Sequence, residues 1–154
     1  MLVTNHVLSG ALIGYAVPGP VVSFVVGVFS HLVLDAVPHW GVRRPIQQMM
    51  HVAVPDGLAG LAVMAAVSVS AAPHDRARVL AGMAGAAFLD LDKPSTVFFG
   101  ASPFPRAVDA LHEAVQRESP RRMPQEILVG LTGAAAVAMV VGHRRRAIRP
   151  SGIA

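Results

Sequence analysis

His31 and Asp35 stand four residues apart in a stretch that is otherwise apolar. On a helix that spacing puts both side chains on one face. Neutral imidazole and carboxylate together suit zinc, manganese or iron. Without a metal, the same pair forms a buried hydrogen bond. His39 continues the four-residue series, although Pro38 is expected to end the helix just before it. Further along, Asp90 and Asp92 flank Leu91 ahead of Lys93-Pro94-Ser95, which reads as a helix stop. Carboxylates at a helix C-terminus oppose the macrodipole, so a compensating positive charge is expected there, which a metal would supply better than Lys93 alone. His6 lies in the first apolar run, His51 and Asp56 open a later one, and His112-Glu113 falls in a polar stretch.

The elements that must position these groups follow from the composition. The chain has 154 residues, 53% hydrophobic and 14% charged, with a mean hydropathy of +0.53. Soluble domains carry about 25% charged residues, so this chain lacks the polar surface to face water all round. The length fits one domain, and the apolar content argues against disorder. With no cysteine, disulfide scaffolds, thiolate metal sites and cysteine nucleophiles are excluded. The net charge of +4 is scattered in short clusters with few aromatics, which does not point to nucleic acid. An integral membrane protein is the better expectation.

Apolar runs predict about five helices, at roughly residues 2–17, 21–37, 51–72, 78–92 and 124–142. Pro18-Gly19-Pro20 separates the first two as a tight turn. A bilayer needs roughly 17–25 residues per helix, which the second, third and fifth runs supply. The first run has no Lys or Arg ahead of it and no convincing cleavage site, so a retained helix is expected rather than a signal peptide. Gly10 and Gly14, with other glycine pairs, predict close helix packing. Residues 93–123 form the long polar segment. Within it Val108, Leu111, His112 and Val115 predict a short amphipathic helix on the membrane surface or across the bundle end. Residues 1–143 thus form one helical domain, and 144–154 a basic tail.

If the helices alternate up and down, thirteen of the sixteen His, Asp and Glu residues fall on one side. His74, Asp75 and His143 remain on the other, while Lys and Arg divide seven to six. Solvation alone would not sort metal-ligand types this way. Ionisable groups at membrane depth are costly and are functional candidates by default.

Two segments resemble a known family. Ser30-His31-Leu32-Val33-Leu34-Asp35 with Pro38-His39 resembles the Ser-His-x-x-x-Asp signature of the YdjM-type bacterial inner-membrane proteins, predicted metal-dependent hydrolases. Phe88-Leu89-Asp90-Leu91-Asp92-Lys93-Pro94 is similar to that family's Leu-Pro-Asp-x-Asp-His-Pro segment, and Asn5-His6 to its opening histidine. The motif order is rearranged, and the family's His-Arg-Gly motif has no counterpart, with His112-Glu113 standing roughly in its place. The resemblance implies a His/Asp metal site at a membrane surface and distant kinship with zinc-dependent phospholipases C.

The leading expectation is therefore an integral membrane hydrolase of a phosphoester such as a lipid headgroup. It would use one or two divalent metals, zinc first, held by His6, His31, Asp35, Asp90 and His112, with Asp92 as a further ligand or a supporting carboxylate. Asp56 or Glu113 would serve as general base, and Arg43 and Arg44 would hold phosphate at headgroup level. Membrane lipid is the expected partner, nucleic acid is not, and a homo-oligomer is left open. The arginine cluster 144–146 beside the last helix leans the C-terminus toward the cytoplasm and the polar end toward the outer face. Two other classes compete. A non-catalytic membrane scaffold would leave the His and Asp side chains more than roughly 8 Å apart, since ligand bonds are only about 2 Å long. An ion or proton path would need ionisable groups on the far side, where few exist.

Overall fold

A computed structural model describes residues 1–42 and 46–148. Among these the architecture is all-helical, apart from one isolated bridge. The helices are α1 (Val3–Ala16), α2 (Pro20–Ala36), α3 (Met50–Ser70), α4 (Pro73–Ala87), α5 (Asp92–Phe99), α6 (Arg106–Val115) and α7 (Met123–Ile148). Five of them answer the expected apolar runs and α6 the expected amphipathic helix, so α5 is the addition, and the shifted bounds have simple causes. Pro73 opens α4 from its first position, where the missing N–H costs nothing. Pro94 sits in the first turn of α5, so Lys93-Pro94-Ser95 lies inside a helix start instead of ending one. The arginines 144–146 are a continuation of α7 and not a separate tail.

Two stretches are long and apolar enough to cross a membrane, Gln47–Ser70 and Pro120–Ala147. The α2 helix is apolar but has 17 residues, about 26 Å against a hydrocarbon core of about 30 Å. Few residues of the two long stretches are covered by the rest of the chain. Outward faces are strongly apolar: Phe29 on α2 is 68% exposed, Leu61 on α3 64% and Leu131 on α7 66%.

The centre of the molecule is α4, the least apolar of the expected runs. Its charges are confined to the first two turns, and beyond them Val79, Gly82, Met83, Gly85 and Ala86 are buried against α1 and α2. Glycine makes this possible. A Cβ on Gly10 would lie 2.3 Å from the Gly82 oxygen, and one on Gly85 would lie 2.2 Å from the Phe24 oxygen. The α1, α2 and α4 backbones are therefore in direct contact, the small-residue packing that lipid-embedded helices use.

At the end away from the His/Asp groups, arginines satisfy the last carbonyls of two helices. Arg144 and Arg78 donate to Tyr15 O (3.1 Å) and Val17 O (3.2 Å) after α1. Arg145 and Arg76 donate to Ser70 O (3.2 Å) and Ser68 O (3.0 Å) of α3.

Candidate metal centre

The start of α1 has no capping side chain of its own, because Leu2 precedes it. Its free N–H groups instead find acids from distant helices. Val3 N and Thr4 N donate to Asp56 Oδ2 (2.7 Å) and Oδ1 (3.2 Å) on α3. Leu2 N donates to Glu126 Oε2 (3.1 Å) on α7, which also accepts from Asn5 Nδ2 at 2.7 Å. The positive end of a helix favours such carboxylates. The contacts pin the first turn of α1 and with it His6, which is fully buried.

On α2, His31 and Asp35 are both fully buried and face the same way, Nε2 to Oδ2 at 3.1 Å. Residues beyond α6 run back beside the end of α2. Arg117 N donates to Asp35 O (3.1 Å), His39 N to Arg117 O (3.0 Å) and Ser119 N to His39 O (2.9 Å). This pairing lays α6 across the bundle end and brings His112 onto α2. His112 Nε2 lies 3.2 Å from Asp35 Oδ2 and 2.9 Å from His31 Nε2. His6 Nε2 is 3.2 Å from Asp35 Oδ1 and its ring stacks on His31 at 4.0 Å. The Met1 amino nitrogen is 2.6 Å from Asp35 Oδ1. Asp90, in the turn between α4 and α5, completes a set with His6 and His31. A second set is His31, Asp35 and His112, and within each set the donor atoms lie within 4.8 Å of one another. Buried His and Asp groups that could hold a metal ion are thus brought together, well inside the roughly 8 Å expected of a scaffold.

The fit to a metal can be checked atom by atom. Donors at about 2.05 Å around a tetrahedral ion stand about 3.3 Å apart, close to the 3.1–3.2 Å between imidazole nitrogens and the Asp35 oxygens. His31 Nδ1 is 2.7 Å from the Ala86 carbonyl, which can only accept. The proton of the neutral ring is therefore on Nδ1, and a lone pair on Nε2 faces the cluster. His39 repeats this pattern, with Nδ1 donating to Val37 O at 2.9 Å. Among the described residues neither nitrogen of His6 has a hydrogen-bond partner, nor has His39 Nε2. Buried polar atoms are normally satisfied, so these unpartnered nitrogens are groups that could bind a cation. His112 shows the same tendency. Burial lowers its pKa, but hydrogen bonding to Asp35 and Asp92 outweighs that and raises it to about 9.

No family model, curated protein or solved structure matches this chain. The geometry therefore stands on its own.

The five residues expected as ligands, His6, His31, Asp35, Asp90 and His112, come together, and Asp92 lies beside them with Oδ2 3.6 Å from His112 Nδ1. Asp90 has the positive partner that its position demanded: Lys93 forms a close ion pair with it. Burial would raise the Asp90 carboxyl, but Lys93, His6 and His31 hold it below the usual carboxylate range. Asp92 opens α5 instead of ending α4, so the helix dipole favours it, and Lys93 Nζ stands 3.7 Å from its Oδ1 as well. Of the two residues expected as general base, Asp56 lines a cleft beside Asp90 with its oxygens engaged, and Glu113 lies apart from the cluster. Both Asp56 oxygens hold the α1 N-terminus, and Glu113 is exposed on α6. Arg43 and Arg44 lie outside the described residues.

Some members escaped the sequence. His39 is fully buried with Nε2 3.9 Å from Asp35 Oδ1, and its spacing of four from Asp35 is the signal that could have placed it. Gln116 lies one turn beyond His112 and donates from Nε2 to Asp35 Oδ2 at 3.4 Å. Glu126 carries no signal, since the groups it satisfies are 86 to 124 residues away in sequence.

Proposed function

We propose that this chain is a membrane-embedded, metal-dependent hydrolase of phosphoesters, with lipid headgroups as its substrate class. The observation that carries this is the convergence of His6, His31, His112, Asp35 and Asp90 from α1, α2, α6 and the α4–α5 turn at one buried end of the bundle. The two donor sets share His31, whose one lone pair, on Nε2, serves a single ion from either set. Mixed nitrogen and oxygen donors with no thiolate favour zinc over the harder cations, with manganese or iron as the other fits. When bound, the metal supplies acidification of water toward neutral pH and offsets charge on phosphoryl oxygens.

The chain's own groups supply the rest. Asp35 presents both oxygens to the imidazoles and is steadied by Gln116. Asp92 takes the base role. The residue is partly exposed, Oδ2 stands 3.6 Å from His112 Nδ1, and Oδ1 is 3.7 Å from Lys93 Nζ with no hydrogen-bond partner among the described residues. Lys93, 39% exposed beside Asp90, is placed to donate to a phosphate oxygen. The strongly apolar outer faces of α2, α3 and α7 support a position in the bilayer. With the arginine end toward the cytoplasm, the His/Asp end faces outward. On this proposal the chain is a rearranged relative of the YdjM-type inner-membrane family.

The test is elemental analysis of purified protein beside hydrolysis of a phosphodiester. Stoichiometric zinc is expected, with loss of both metal and hydrolysis in His31→Ala and Asp35→Ala. Metal-free protein, or hydrolysis indifferent to both variants, overturns the proposal.

A further inference from the structure

A cleft of about 630 Å³ runs from the His/Asp centre along α3, between α1 and the α4–α5 turn. That size is typical of ligand sites, which span about 300–1,000 Å³. Its walls are almost wholly apolar and include Trp40, Leu61, Phe88 and Phe98. Its polar lining is Asp90, a member of one candidate donor set, with Lys93, Asp56, Gln116 and Glu118; Asp90 is already paired with Lys93 and Asp56 with the α1 N-terminus, so Lys93 is the group left to meet an anion. Lys93 is the one lysine or arginine among the described lining residues. The lips are apolar as well, with Leu61 and Phe98 both strongly exposed, so the cleft opens sideways through the outer apolar surface. A water-soluble phosphoester would fill only the polar end and leave this apolar length facing nothing.

We infer that the cleft is the binding site for the hydrocarbon chain of a phosphate-bearing lipid, which enters laterally from the bilayer and sets its phosphate beside Lys93. The inference rests on the proposed hydrolase, and it adds to that proposal the half of the substrate that is not hydrolysed. Charge and polarity select this occupant together. A cation beside an acid-and-imidazole centre suits an anionic head, and the apolar walls suit the chain attached to it. Binding energy gathered along the chain would hold the scissile bond at the centre without any contact to the reacting atoms.

Gly57 gives a clean way to block the cleft. It lines the wall, and a Cβ built there meets no atom within 4 Å, so a larger side chain enters open space. Trp40, the single tryptophan, lies in the same cleft and reports its occupancy. Protein in unbrominated detergent micelles would be titrated with phosphatidylglycerol carrying a dibrominated acyl chain, and Trp40 fluorescence followed. Saturable quenching is expected, weakened at least fivefold in apparent affinity by Gly57→Leu and less by Gly57→Ala, with metal content unchanged as the check on folding. Brominated diacylglycerol, which lacks the phosphate, is expected to bind at least fivefold more weakly. Quenching that rises linearly with lipid, as for random contact in the micelle, or that ignores both Gly57 variants overturns the inference. Equal affinity for brominated diacylglycerol overturns its phosphate end. Failure of the hydrolase reading looks different: saturable, Gly57-sensitive quenching in protein that holds no metal leaves the chain site standing and removes the catalytic one.

Discussion

Gly10→Ala tests whether the metal centre depends on helix contact remote from it. The added methyl carbon would stand 2.3 Å from Gly82 O and 2.7 Å from both Gly82 C and Met83 Cα. Carbon and oxygen rest at about 3.3 Å, so α1 and α4 must part by about 1 Å. Both obstacles are backbone, and no side chain can turn away to relieve them. Overpacking of this kind costs about 1–3 kcal/mol, which at this chain length lowers Tm by roughly 2–4 °C per kcal/mol. His6 is one helical turn from Gly10, and Asp90 follows α4 directly, so the displacement reaches two members of one donor set. Sites of this type tolerate only about 0.5 Å, and loss of the support around metal ligands typically weakens binding about 10–100-fold. The assay is zinc competition against a chelating dye in detergent, with helical content and Tm read by circular dichroism. Gly142→Ala is the control, because its Cβ meets nothing within 4 Å, and it should raise stability by up to about 1 kcal/mol. Gly10→Ala protein with wild-type zinc affinity and Tm would refute the argument that backbone contact sets the site.

Two further outcomes follow from the same geometry. Metal must displace the proton of His112, whose pKa is raised to about 9 by hydrogen bonds to Asp35 and Asp92 against the effect of burial. Apparent zinc affinity should therefore fall as pH is lowered from 9, with proton release on binding detectable in weak buffer; binding that is flat between pH 6 and 9 contradicts this. Glu126→Gln replaces an oxygen that accepts from Leu2 N and Asn5 or one that accepts from Trp40 N at 3.0 Å with a donor group. It should destabilise by about 1–3 kcal/mol, seen as a lower Tm, and an unchanged Tm argues that these contacts carry little.

That most of the candidate residues cluster was legible from residue type and side, because the up-and-down alternation of apolar runs carries buried polar residues to a common end. His31 and Asp35 needed only helical period. What stayed hidden was non-local or depended on a proline's position in its helix. Pro73 and Pro94 look like terminators in sequence, yet both stand in first turns, where the missing donor costs nothing. Asp56 and Glu126 could not be told from catalytic acids by spacing, since their partners are the uncapped N–H groups at the start of α1. His39 was masked by Pro38, because the chain beyond the helix turns so that the four-residue series still meets Asp35.

The contact of α1, α2 and α4 also bears on which ion the centre accepts. Helices separated by interlocking side chains can breathe as rotamers shift; backbones that already touch cannot. With Gly10 against Gly82 and Gly85 against Phe24, there is no compressible layer between the supports of His6, His31 and Asp90. On the proposed metal site, a frame this closely packed would act as a gauge of fixed aperture, selecting ions by radius as well as by donor chemistry.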